Sequence, residues 1–393
     1  MHTTVLNISG RYSGPLVLKQ GLRPFFLLAN LWAFLSMVLW VAVLAGWLNG
    51  PEHITALDWH RHELLFGFTS AVMGGFLLTV VANWTKRAPI AGYKLLALVM
   101  LWVAGRVVMW QSGGLPAEAV ALVDLSFPIV LGAVVGREII LSENYRNLSV
   151  LAVFSLFVLA NAVFHLDLVS GDRPVVGSRL GLCAVLLLIM VVGGRIIPAF
   201  TRTWLIKRGA ERLPAAFAQY DIVTLFVSAV VLITWAFAGE SPLVGWGMLV
   251  SGLLQLGRLG RWCGEQTFTD PLVLILHLAY AFVPLGFLAM AAAQLFTLYI
   301  TVSAATHLWT AGAVAVTCMA VMTRASLGHT GQELSVSPAI VTIYVLLMGS
   351  VLLRVVASVS THYLQIIQFS AVLWCLAHLL FVFCFARLFY IAR

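Results

Sequence analysis

Apolar residues run in long stretches along the chain, broken by clusters of Gly, Pro and charged residues and not by the short alternation of a half-buried strand. The stretches fall near 25–48, 60–82, 93–111, 117–141, 147–168, 177–200, 217–238, 242–262, 271–293, 301–323, 338–358 and 363–390. Many hold twenty or more residues with at most one ionisable group. A helix of about 20 apolar residues crosses a hydrocarbon core of about 30 Å. The pattern therefore predicts an all-α fold, a polytopic membrane bundle of twelve transmembrane helices. At about 22 residues each the spans consume roughly 264 residues. The remainder suffices for loops and ends but not for a soluble domain, so a single transmembrane domain over 25–393 is expected after a cytoplasmic segment at 1–24.

Composition narrows the class further. Of 393 residues 61% are hydrophobic and 10% charged, with a mean hydropathy of +1.00, which excludes an ordinary water-soluble enzyme. A transmembrane barrel would show segments of about ten residues alternating apolar and polar positions, and these are absent. Positive charge marks one side of the bilayer: Arg11, Lys19 and Arg23, then Lys86, Arg87 and Lys94, Arg137 and Arg146, Arg202, Lys207, Arg208 and Arg212, Arg258 and Arg261, Arg324, and finally Arg387 and Arg393. The other side has mainly Arg61, Arg173 and Arg179. Positive loops stay cytoplasmic, so both termini are expected there, in a bacterial inner membrane. The net charge of +8 reads as topology and contact with anionic lipid, with no nucleic-acid partner. No cleavable signal peptide is visible, and the first span acts as its own insertion signal. The five cysteines form no CxxC pair and read as small core residues. No repeat relates the two halves.

Ionisable groups inside a membrane are functional candidates because they are costly against lipid. Carboxylates are scarce in the spans, Asp124 being the clearest, whereas histidines recur and suit metal or haem iron. His60 and His62 open the second span on the outer side, His165 ends the fifth there, and His307 lies one to two turns into the tenth from that side. His60 and His62 project roughly 200° apart on a helix, so one ion does not easily take both. His62 shares a face with Asp58 and His60 with Glu63; either carboxylate could orient its imidazole. Small residues, Ser70, Ala71, Gly74 and Gly75 below His62 and Ala311, Gly312 and Ala313 below His307, admit a close neighbour or a flat cofactor. Close helix packing with interfacial histidines explains them equally well. Arg106 and Arg354 sit near the outer end, where they either snorkel or pair with propionates; Asp124 could instead neutralise one of them. On the inner side, Arg195 in GGRIIPAFT at 193–201, Arg324 and His329 in TRASLGHTG at 323–331, and His277 form a conceivable cation-rich pocket for metal or an anion. The plainer reading is positive anchors beside a turn. His378 stands alone and reads as a core histidine; His2, His53 and His362 fall in the tail and loops.

Five blocks together carry a family pattern: GLRPFF at 21–26, HRHELLFGF at 60–68 with GGF at 74–76 and NW at 83–84, GGRIIPAFT, LHLAY at 276–280, and MTRASLGHTG at 322–331. The chain resembles the NnrS family over nearly its whole length. The resemblance implies a haem- and copper-containing inner-membrane protein of nitric oxide metabolism and resistance to nitrosative stress. More distantly, the second span from His62 and the tenth from His307 resemble the two spans of the haem-copper oxidase catalytic subunit that ligate its low-spin haem. That likeness implies His62 and His307 as axial ligands of one haem b near the periplasmic side, with Arg106 and Arg354 on its propionates. The sixth and seventh spans lack the histidines of an oxidase reduction site, and Ala305 stands two before His307. Copper would then use other ligands, for which His60, His277 and His329 lie in family blocks.

The leading expectation is a redox membrane protein acting on nitric oxide or its nitrosylated or metal adducts, served by an electron donor. A twelve-span transporter of a metal complex or nitrosylated species is the alternative, with Arg195, Arg324 and His329 as its anion gate. A third is an assembly partner of another membrane complex.

Overall fold

The computed structural model describes residues 12–296 and 300–391; His2, Arg11 and Arg393 lie outside the described residues. Twelve long helices carry the chain: α1 (Leu22–Leu44), α2 (Ala56–Thr85), α3 (Tyr93–Trp110), α4 (Ala117–Leu141), α5 (Tyr145–Val169), α6 (Val175–Ile206), α7 (Gln219–Ala238), α8 (Pro242–Gly260), α9 (Pro271–Leu295), α10 (Val302–His329), α11 (Pro338–Ala357) and α12 (Tyr363–Tyr390). No strand occurs among the described residues.

Eleven of these helices are long and apolar enough to cross a membrane, which makes the protein multi-pass. The exception to the expected twelve is α8, a helix where one was anticipated, whose glycines, Gln255 and Arg258 dilute the apolar run. Polar side chains close several helix starts by accepting the free amides of the first turn. Thr55 accepts from Asp58 N, Asp270 from Leu272 N and Val273 N, Thr301 from Ala304 N, and Ser337 from Ile340 N.

Sequence neighbours pack as neighbours, and α1 meets α12 to close the bundle. The Arg23 guanidinium at the start of α1 donates to the Phe389 carbonyl at the end of α12 (3.0 Å), so both ends lie on one face of the bundle. That face is called here the terminal face; the opposite one, bearing the α1–α2 loop, is the far face.

Burial separates an inner set of helices from the outer ones. In α2, 83% of the apolar window is buried, against 28% in α1. α2, α6 and α10 contact one another at the centre. Each contains a π-helical turn, at Glu63–Phe68, Ile189–Gly193 and Leu308–Val316. A π turn holds one residue more than an α turn and is often found at functional sites. α6 also continues through Pro198. The residue four before it, where a proline ring crowds the helix, is Gly194, at the end of the adjoining π turn.

Candidate metal centre

The first π turn begins one residue after His62. Its Gly67 leaves room that a side chain would fill: a Cβ there would run into the Arg106 guanidinium and lie 2.7 Å from Glu63 Oε2. On α3, a Cβ at Gly105 would sit 3.3 Å from the Asp124 Cα, so this glycine lets α3 and α4 approach closely beside Arg106. Two glycines thus let polar side chains from four helices share one buried space near the far face.

The centre of that space is Asp124 on α4. Its Oδ2 accepts from Asn161 Nδ2 (2.8 Å) and lies 3.0 Å from His165 Nε2 and 3.2 Å from His62 Nε2. Its Oδ1 pairs with Arg106. Glu63 completes the network, with Oε1 2.9 Å from His62 Nδ1 and Oε2 accepting from Arg106 (2.7 Å). Asn161 Oδ1 also faces His62 Nε2 at 3.1 Å. His62 and Glu63 are fully buried, and Asp124 and His165 nearly so.

Donor and acceptor accounting gives this group its chemical character. Both ring nitrogens of His62 face only oxygen acceptors, yet a neutral imidazole has a single N–H. Two carboxylates, moreover, face one guanidinium. Buried charge of this kind is tolerated only when compensated. The missing positive charge is supplied either by a second proton on an imidazole or by a metal ion among the three atoms that converge.

Those three fit an ion. One ligand atom each from His62, Asp124 and His165 lies within 4.8 Å of the other two. Two imidazoles and a carboxylate suit divalent zinc, iron or copper and leave coordination positions open. Glu63 on the remote nitrogen of His62 and Arg106 on the remote oxygen of Asp124 are the outer partners that fix such ligands.

The remaining expected residues fall into other surroundings. It is His60, not His62, that lies within electrostatic reach of His307 and Arg354. His60 stacks on Trp40 (centroids 4.5 Å, 16° between planes), and its Nδ1 is buried without a partner. His307 Nδ1 donates to the Ser303 carbonyl (2.7 Å), which leaves Nε2 with its lone pair. One Arg354 nitrogen donates to Ser303 Oγ (3.3 Å) and the other is buried and unpartnered. His62 and Arg106 thus belong to the carboxylate group, and His307 and Arg354 to a separate site beside it.

On the terminal side, the residues of the expected inner pocket have the following surroundings. His277 Nε2 bonds Thr201 Oγ1 (2.8 Å), Arg324 lies over the Phe200 ring (4.0 Å), and Arg195 is exposed with Ser149 as its neighbour (3.4 Å). His329 ends α10 half-buried. His378 is fully buried, its Nδ1 2.8 Å from Asn30 Oδ1 and its Nε2 without a partner. All five cysteines are free. Outside the spans, burial pushes the Cys263 thiol up from its ordinary value, an inert rather than a reactive setting.

Sequence reasoning noted the depth of His165 and the possible pairing of Asp124 with an arginine, but did not single out Asn161 or unite the group. The available signal was Asn161 and His165 four residues apart on one helix face, at the depth of Asp124. The buried Arg258, which bonds Asp221 (2.9 Å) and Tyr280 (2.9 Å), was read only as a positive anchor.

The family model described as NnrS protein matches residues 16–393. The chain belongs to the NnrS family. No curated protein matches it. Membership suggests a role in the response to nitric oxide, and NnrS proteins are known in general terms for metal cofactors. The His/Asp group is a place in this NnrS chain where such a metal could bind.

Proposed function

We propose that this NnrS protein is a metal-binding membrane protein of nitric oxide metabolism and nitrosative-stress resistance, with His62, Asp124 and His165 holding the metal. The observation that carries this reading is the convergence of both imidazole Nε2 atoms on one carboxylate oxygen, at 3.0 and 3.2 Å. Copper, which the family resemblance implied, accepts this ligand set. A bound ion supplies an open coordination position where a small ligand is polarised or exchanges an electron. The chain's own residues do the rest. Glu63 holds the His62 ring by Nδ1, Arg106 holds and aims Asp124 by Oδ1, Asn161 bridges His62 and Asp124, and the surrounding aromatic side chains Phe66 and Phe164 exclude water.

For haem b, the donors that fit are His60 and His307. Each keeps a nitrogen free of protein hydrogen bonds, and the unpartnered Arg354 nitrogen beside them suits a propionate. His62 fits less well, since its Nε2 is turned to Asp124 within the metal group and Arg106 is already paired with two carboxylates. In this reading both termini lie in the cytoplasm of a bacterial inner membrane and both sites face the periplasm, which the cation-rich loops of the terminal face support.

Metal analysis with reduced and oxidised optical spectra tests both assignments on one purified sample. Asp124→Asn is expected to lose the metal while keeping any haem bands; His307→Ala is expected to do the reverse. A stoichiometric metal retained in Asp124→Asn overturns the metal site. A colourless, metal-free and folded wild-type protein favours the transporter reading.

A further inference from the structure

The buried carboxylate group has one cavity at its side. A void of about 40 Å³ at the far face is lined by the exposed Glu52 and His53 of the α1–α2 loop and by the buried Met109, Ser112, Val120 and His165. The His165 ring that closes it is the one whose Nε2 touches Asp124. The void thus joins an aqueous surface to one ligand of a sealed site, and its donors run from carboxylate and imidazole outside, through hydroxyl and thioether, to imidazole inside.

Size decides what can use it. A hydrated divalent ion carries about six waters, whereas a void of this volume holds a few at most. An ion passing inward must exchange its water for protein donors as it goes. Glu52 and His53 stand where that exchange begins, Ser112 and Met109 where it continues.

We propose that this cavity is the route by which a divalent cation reaches the buried centre, with Glu52 and His53 as its first landing ligands and His165 as the residue that hands it to Asp124 and His62. The proposal rests on the metal reading of His62, Asp124 and His165. It adds a loading site that takes borderline divalent ions, for which imidazole, carboxylate and thioether are suitable donors.

Cobalt(II) serves as the probe, because its visible absorption reports nitrogen and oxygen ligation. Chelator-stripped full-length protein in detergent is mixed with Co²⁺ in a stopped-flow instrument, and both the rate and the final spectrum are recorded. His53→Ala and Glu52→Ala are in an exposed loop and are expected to slow loading about tenfold each, a barrier change of about 1.4 kcal/mol, with the final spectrum and stoichiometry unchanged. Val120→Phe, which fills the void, is expected to slow it further. Loading of His53→Ala and Glu52→Ala at the wild-type rate overturns the route even where the centre binds cobalt. Absence of any cobalt spectrum in the wild-type protein overturns the centre itself, and the route with it. Retention of the wild-type spectrum in His165→Ala removes the hand-over step and overturns the proposal in that form.

Discussion

Two buried ionic networks occupy opposite halves of the bundle, and they are built for different ends. Near the far face, Glu63 and Asp124 share Arg106 and turn their remaining oxygens to two imidazoles. Toward the terminal face, Asp221 is held between Arg258 (2.9 Å) and Arg261 (3.2 Å), and Arg258 donates further to the Met190 carbonyl and to Tyr280. Tyr280 in turn donates to Gln255 (2.7 Å), and Gln255 to Ser228 (2.9 Å). In this second network each acceptor meets a donor, no imidazole takes part, and Arg258 is fully buried. The first sets two carboxylates against one guanidinium, turns two imidazoles to one carboxylate oxygen and adjoins a cavity. Buried charge in a membrane is therefore not one signal but two: a network whose donors and acceptors are all fixed to one another is a strut, and one with convergent ligand atoms is a site.

Substitutions that act on one network and spare the other sharpen this contrast. Asp221→Ala leaves Arg258 buried without its carboxylate and is expected to cost about 3–5 kcal/mol. It is read as a lowered thermal midpoint in detergent or nanodiscs; any Asp221→Ala protein that still folds should bind cobalt as wild type. Next in size, Asp124→Asn keeps the shape but removes an ionised ligand. Its metal affinity, from equilibrium dialysis, should fall by more than the roughly 10–100-fold typical of losing an outer partner. Glu63→Gln removes such an outer partner and is expected to fall within that range, with the cobalt spectrum kept in form. An unaltered affinity would detach Glu63 from the centre. Smallest is Tyr280→Phe, which deletes one donor to Gln255 and one acceptor for Arg258. A loss of about 1.5 kcal/mol in thermal or denaturant stability is expected, with metal binding untouched; altered cobalt affinity would contradict the division into strut and site.

The helical architecture was legible because lipid imposes a simple rule on length and apolarity, and eleven of the twelve expected spans satisfy it. Only α8 departs, since Gln255 and Arg258 are solvated by the protein itself and not by lipid or water. The depth of His62, His165 and Asp124 was legible for the same reason. Which of them meet was not, because lateral neighbourhood depends on how helices are arranged around the bundle. Regular helical spacing also misassigned the carboxylates. Asp58, expected near His62, pairs with Arg61 (2.9 Å), whereas Glu63, expected near His60, serves His62. Asp58, His60 and His62 all precede the π turn that begins at Glu63, so the pairing is decided by neighbours on other helices: Glu63 reaches the adjacent His62 while Arg106 holds its other oxygen, which spacing along one helix cannot anticipate.

The π turns have a consequence for how the inner helices adhere. Widening the backbone ladder lets a carbonyl oxygen take a further donor, and side chains of neighbouring helices supply it; the Met190 carbonyl, for one, keeps the Gly194 amide as well. The Gly67 carbonyl accepts from Trp102 (3.0 Å) on α3, and the Met190 carbonyl from Arg258 (3.0 Å) on α8. Each contact joins a side chain to a backbone atom that every amino acid possesses. At Met190 the adhesive half of the bond is thus written in the count of residues in the turn and not in their identities, whereas at Gly67 identity counts as well, because a side chain there would run into Arg106. Deleting a single residue from either turn would withdraw the acceptor.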